Sequence, residues 1–508
     1  MAISPFKPGS LTRTSGTNFV SMRNDLADLQ RQLTTGQRAD TYGGLGFERR
    51  TSLDMRARLS AIDGYKDTID QTTLRIKMMT QNLERLSKLG QDTKSDIMLA
   101  KFNLLSDGTT FAQKNAEQRF KEVVDLLNAD LAGRSLFAGR AVDRLPMESF
   151  ELIMNGDGTR DGLKQMISER TQAELGGAPG TGMGRLSSAL AGSAVTLSTE
   201  SPLPPFGFRI AGAAATGSTI LATPPGGGIP QTASFDVTGQ PAVGDTITIR
   251  LTDASNNPFT VTLTASASPP QSGALATTFQ IGASTTDTAA NLHAALTQAV
   301  REKAVTELQP RAAMQTAEAF FAATPSNLAN LRVLPPYASS AGMTAATATD
   351  TVIWYTGDTD PTITARNTAP VRVDQGQVLA TGARANEPAI QNVLAQLGVL
   401  AASTFADTKV DAERYRVTTE QVFGKLSDKP GNPKVSDIAS ELATAAATMK
   451  ATKDRHAASE SMIFDALDGV EGVSKEEAAM AIMALQNQLQ ASYQTTSMLS
   501  RMSLVNYL

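Results

Sequence analysis

Apolar residues recur at alternating spacings of three and four at both ends of the chain, a pattern that predicts helices with one buried seam each. Phe19, Met22, Leu26, Leu29 and Leu33 form the first seam. Thr34, Thr35 and Gly36 close that helix, the glycine supplying a backbone conformation in which helices end without strain. A polar, Gly-containing segment at Tyr42–Gly46 follows. Ile62, Tyr65, Ile69, Thr72, Ile76, Met79, Leu83 and Leu86 then hold the alternation without interruption by proline. A seven-residue repeat of this length calls for a supercoiled partner helix. Gly108 marks a turn, and a third helix is expected to run to Leu131 with Phe120, Val124, Leu127 and Leu131 on its seam. Toward the other end, Ile438, Leu442, Ala445 and Met449 make a seam that continues past His456 to Ile463 and Leu467, with Gly469 and Gly472 as breaks. A last helix carries Ala478, Ile482, Leu485, Leu489, Ser492, Thr496 and Leu499 in register. Its small and polar seam positions make it dependent on partners.

From Ser149 onward the pattern changes. Leu175–Arg185 is Gly-rich, and Pro202, Pro204, Pro205, Pro224 and Pro225 mark non-helical chain. Asp245–Leu251 and Phe259–Leu263 alternate with a period of two around the turn residues of Asp253–Pro258, which predicts a β-hairpin. Thr285–Glu307 predicts a helix, and Thr351–Tyr355 and Val371–Leu379 predict strands. Asn386, as a cap ahead of Pro388, opens a helix with Ile390, Leu394 and Leu397 on one face. The expected fold is a mainly α terminal coiled-coil core formed by N- and C-terminal helices, residues 1–148 and 386–508, with one or two α+β outer domains inserted at residues 149–385.

A chain of 508 residues exceeds the size at which one core stops growing, so several domains are expected. The net charge of −4 leaves no electrostatic footprint for nucleic acid. No Lys/Arg run addresses a membrane surface, and no apolar run reaches the ~18 residues of a membrane span. Neither nucleic acid nor membrane is an expected partner. The absence of cysteine excludes a disulfide framework, thiolate metal sites and a Cys nucleophile, and suits export of an unfolded chain. Met1–Phe6 does not begin a basic-then-apolar leader, so export without a cleaved signal is the expected route.

Catalytic chemistry is sparse. Neither His293 nor His456 has a second His at helical spacing. Gly180–Gly184 and Gly226–Gly228 lack the Lys-Ser/Thr of a phosphate cradle. Asp358, Asp360 and the stretch Asn155–Gly158 lack the spacing of a calcium loop, and turn chemistry accounts for them. The expectation is a protein that is not an enzyme and takes no cofactor and no metal.

Four stretches carry a family resemblance. Leu29-Gln30-Arg31-Gln32-Leu33-Thr34-Thr35-Gly36-Gln37-Arg38 resembles the end of the first helix of bacterial flagellins and of the closely related hook-associated junction protein. Where that family continues with Asn, Ser and an Asp-Asp-Ala/Pro signature, this chain has Ala39-Asp40-Thr41-Tyr42-Gly43-Gly44. Leu485–Gln494, with its Ala491-Ser492-Tyr493, and the ending Met502-Ser503-Leu504-Val505-Asn506-Tyr507-Leu508 resemble the terminal helix. Gly133-Arg134-Ser135-Leu136-Phe137-Ala138-Gly139 resembles the junction protein's exit from its third helix.

The resemblance implies a structural subunit of the flagellum, exported to the cell exterior, whose terminal helices order on assembly into the helical filament used for swimming. Its partners would be further copies of itself, a flagellar export chaperone and hook-associated proteins. Phe19, Met22, Leu26, Leu29, Leu33, Ile62, Tyr65, Ile69, Ile76, Met79, Leu83, Leu86, Ile482, Leu485, Leu489, Leu499, Leu504 and Leu508 would be the assembly surface. A junction between hook and filament is the alternative role, and an adhesin on a coiled-coil stalk is the alternative from another class. Leu83–Leu89 resembles the receptor-recognised patch of some flagellins, but Lys88 stands at its acidic position, so weak or no receptor activation is expected.

Overall fold

The computed structural model describes residues 9–99, 101–178 and 181–505. The chain is a mixed α+β protein, about half helical, with long helices and several small sheets. Its α-helices are α1 (Gly9–Thr35), α2 (Arg49–Leu99), α3 (Phe111–Leu127), α4 (Phe150–Asn155), α5 (Leu163–Leu175), α6 (Thr285–Lys303), α7 (Gln309–Ala322), α8 (Pro388–Ala402), α9 (Lys409–Leu426), α10 (Val435–Glu471) and α11 (Lys475–Val505).

The chain divides into two compact units. The first joins the stretch up to Thr73 with Val371–Leu379 and the stretch from Ala446 onward; the second comprises Leu74–Pro370 and Ala380–Ala445. The expected boundaries at 148/149 and 385/386 therefore both fall inside the second unit. The physical reason is a shared aromatic core: Phe120 of α3 packs on Phe150 of α4 and Phe321 of α7, and α3 and α7 both pack on α8.

In the first unit α1 packs along α11, with the rings of Phe19 and Tyr493 5.0 Å apart. The N-terminal part of α2 is tied to the C-terminal part of α10 by Lys66–Glu460 at 2.6 Å and by Lys453–Asp70. Val371–Leu379, expected as one strand, is a hairpin in which Pro370–Asp374 pairs with Gln377–Ala380 around Gln375-Gly376.

The second unit contains two four-stranded sheets. One is built from β1 (Leu186–Ala191), β2 (Ala194–Thr199), β4 (Ile220–Thr223) and β5 (Thr232–Val237) in the antiparallel order β1-β2-β5-β4. The other contains β3 (Arg209–Ala215), β6 (Thr246–Thr252), β7 (Pro258–Ser266) and β8 (Thr278–Gln280) in the order β8-β7-β6-β3, with β8 parallel to β7. The expected hairpin is β6–β7, with Ile247, Ile249 and Leu251 facing Leu263, Val261 and Phe259 across the ladder. These side chains join Val195, Leu197, Phe235 and α6's Leu292, Leu296 and Val300 in one core. A Ser284/Asp287 capping box starts α6, and a π turn at Ala304–Leu308 passes it into α7.

Four other expectations are corrected. Helix α3 ends at Leu127, not Leu131, because the Asn128 side chain is held by the Met147 backbone and the chain reverses at Ala132-Gly133, both at positive φ. Gly469 does not break α10, whose 37 residues absorb the ~1 kcal/mol cost of an interior glycine and run on to Glu471. Thr351–Tyr355 forms no ladder; Thr351 and Tyr355 make single bridges to Asp161 and Met147. The cap of α8 is Glu387 rather than Asn386, its carboxylate accepting from Arg384 N and pairing with Arg366.

Candidate assembly interface

The two ends of the chain meet in the first unit through backbone as well as side chains. Gly36, at φ +70°, ends α1 in the left-handed conformation. Beyond it the chain pairs with the α10–α11 turn: Arg38 N donates to Glu471 O at 2.7 Å and Val473 N donates to Gly36 O at 3.0 Å, flanking an antiparallel Gln37–Gly472 bridge. A Cβ at Gly472 would stand 2.4 Å from Asp468 O, so only glycine fits there. The Glu471 carboxylate accepts from Arg56 Nε at 2.9 Å, from Arg56 Nη2 at 2.5 Å and from Ser52 Oγ. Together these bonds clip the α1–α2 and α10–α11 corners in one register.

The Arg56 guanidinium, with the Ser52 hydroxyl, holds the Glu471 carboxyl below the usual range. A carboxyl with a depressed folded pKa contributes stability that is complete above the unfolded value of ~4.3 and is lost as pH falls through the folded one. Acidification below pH ~4.3 is therefore expected to loosen the clip. Amide exchange at Arg38 and Val473 followed against pH reads this. The same pH response in Glu471→Gln would show that another group governs it.

The hairpin at 370–380 is fixed to α10 by Arg455–Asp374 at 2.8 Å and by His456 Nε2, which donates to Val373 O at 2.8 Å. The His456 ring is buried and stacks on Tyr65, with centroids 5.6 Å apart. Tyr65 thus packs on a structural histidine. The other histidine, His293, lies with Nε2 3.1 Å from Ser188 Oγ.

The seam residues differ in burial along the chain. Phe19, Met22, Leu26, Leu29 and Leu33 on α1 are half-buried, as are Tyr65 and Leu485, whereas Ile62, Ile69, Ile482 and Leu489 are buried. All of these belong to the first unit. Ile76, Met79, Leu83 and Leu86 are buried in the second. The side chains of Leu499 and Leu504, and Leu508 altogether, lie outside the described residues. In the Leu83–Leu89 patch Arg85 is paired with Glu122 at 2.5 Å, and Leu89 is buried.

Large apolar side chains also stand in the open. Among the described residues, half of the exposed ones sit on the first unit, which holds less than a third of the chain. They include Val20, Phe47, Met462, Phe464, Met480, Met483 and Met498, with Phe47 fully exposed. Among the described residues no group of three or more His, Asp or Glu side chains is arranged to hold a metal ion, and no helix is long and apolar enough to cross a membrane.

The seams were legible from spacing, but the clip was missed. Gly36 and Gly472 both stood out as helix ends, yet nothing in the sequence joined them. Neither models of known protein families nor curated proteins match this chain.

Proposed function

We propose that this chain is a structural subunit of the bacterial flagellum, secreted and self-assembling through a coiled-coil core of its terminal helices into the helical filament, with no catalytic role. The observation that carries the reading is the pairing of the two ends in one unit that leaves much apolar surface uncovered. A half-buried seam on α1 and exposed apolar groups on α10 and α11 are what a subunit needs if neighbouring copies complete its core. Heterologous contacts that do not close on themselves generate a helical polymer. The sheet-containing second unit supplies a fold of its own that needs no such completion.

Junction protein between hook and filament is a second reading, favoured by Gly133–Gly139. Leu136, Phe137 and Ala138 of that segment are fully buried, and Gly139 lies close against Asp358 and Arg384. Electron microscopy of purified full-length protein after salting-out tests both readings. Long uniform filaments are expected for the filament subunit. Persistent monomers that bind isolated hooks would transfer the role to the junction, and monomers that do neither would overturn both.

A further inference from the structure

The short turn Tyr42–Glu48, just ahead of α2 in the first unit, carries an aromatic ring into solvent and holds it there. Gly46, at φ +58°, takes a backbone conformation that favours glycine. Leu45 is buried and Glu48 is bridged to Arg38 at 2.6 Å, so the turn is anchored on both sides of the fully exposed Phe47. Arg49 and Arg50 follow, both exposed and without an ion pair among the described residues.

The same unit carries an open groove of about 840 Å3 between α2, α10 and the 370–380 hairpin. Ala57, Ala61, Ile62, Tyr65 and Ile463 supply its apolar lining. Asp54 and Arg58 also line it and are exposed. They stand one helical turn apart, a spacing at which opposite charges commonly pair, yet neither has an ion pair among the described residues. The other charged lining residues, Arg455 and Asp374, are already joined to each other.

Each open feature of the groove has its complement on the turn. The Phe47 ring matches the apolar lining and offers a π face to Arg58, while Arg49 and Arg50 offer cations to Asp54. In its own chain Phe47 is fully exposed and so does not occupy the groove. A knob and a groove on different surfaces of one molecule make a contact that repeats from copy to copy without closing.

We infer that Phe47 of one copy seats in the α2–α10 groove of the next, with Arg49 and Arg50 at Asp54 and Arg58 over the ring. The inference rests on the filament reading and names the contact through which copies add.

Sedimentation of full-length variants tests it. Phe47→Ser, Ala61→Trp and Asp54→Arg all change exposed positions, so each should fold as the parent does. Each is expected to raise the concentration needed for salted-out polymerisation at least about tenfold. Mixed one to one, Phe47→Ser and Ala61→Trp offer one intact groove and one intact knob on different chains, so the mixture should give a dimer that neither forms alone. Polymerisation of any of the three at the parent's threshold, or a monomeric mixture beside a parent that forms filaments, would overturn the contact and leave the filament reading standing. A dimer from the mixture with no filaments from the parent would do the opposite. Monomers throughout would overturn both.

Discussion

A chain carrying Ile69→Asp is expected not to polymerise, while its second unit melts as it does in the parent. Ile69 is 1% exposed and lies on α2 in the first unit, close to the Lys66–Glu460 and Lys453–Asp70 bridges. Both lysines already have carboxylate partners, so a new carboxylate there would be buried without a dedicated cation. Lost apolar burial and a desolvated carboxyl together cost at least ~3 kcal/mol, a large share of what a small unit possesses. Sedimentation reads the polymer, and circular-dichroism melting reads the second unit. Normal filaments from this variant would remove the α2 seam from assembly. Ile76, two turns further along the same stripe, is no substitute, because it is buried in the second unit and its replacement would damage that unit.

Arg332→Ala is expected to destabilise the second unit by about 3–5 kcal/mol, the usual cost of stranding one member of a buried ion pair. Arg332 donates to Glu169 through Nε at 2.9 Å and Nη2 at 2.5 Å, to Asp161 at 2.6 Å, and to Thr351 Oγ1 at 3.0 Å. The Glu169 side chain is only 1% exposed, so water cannot replace the lost guanidinium. Arg332→Met with Glu169→Leu removes both charges and should recover most of the loss. Midpoints of urea unfolding measure each step. A single-variant loss under ~1 kcal/mol would mean that this cluster is hydrated and contributes little.

What could be read from the residues, and what could not, divides along sequence distance. The Ile62–Leu86 stripe declared itself because a helix repeats its buried face every three or four residues, and the β6–β7 hairpin did so because strands alternate and turn residues separate them. Local signals failed where a distant group decided the outcome. Helix α3 stops short of Leu131 because Asn128 is claimed by Met147, and Glu387 displaces Asn386 as a cap because Arg366 and Arg384 engage its carboxylate. The Arg56–Glu471 pair spans more than 400 residues, and no periodicity reports on such a contact.

The pairing of first and last helices also sets a timetable. During translation α1 emerges long before α11 is made. The second unit is complete once Ala445 has left the ribosome, while residues 446–505 are still to come. At ~5–20 residues per second those take about 3–12 s. For that interval the second unit can already be folded, and the N-terminal stretch has no intramolecular partner. The first unit is thus always completed after the second, and anything that must engage α1 unpaired has this window in which to do so.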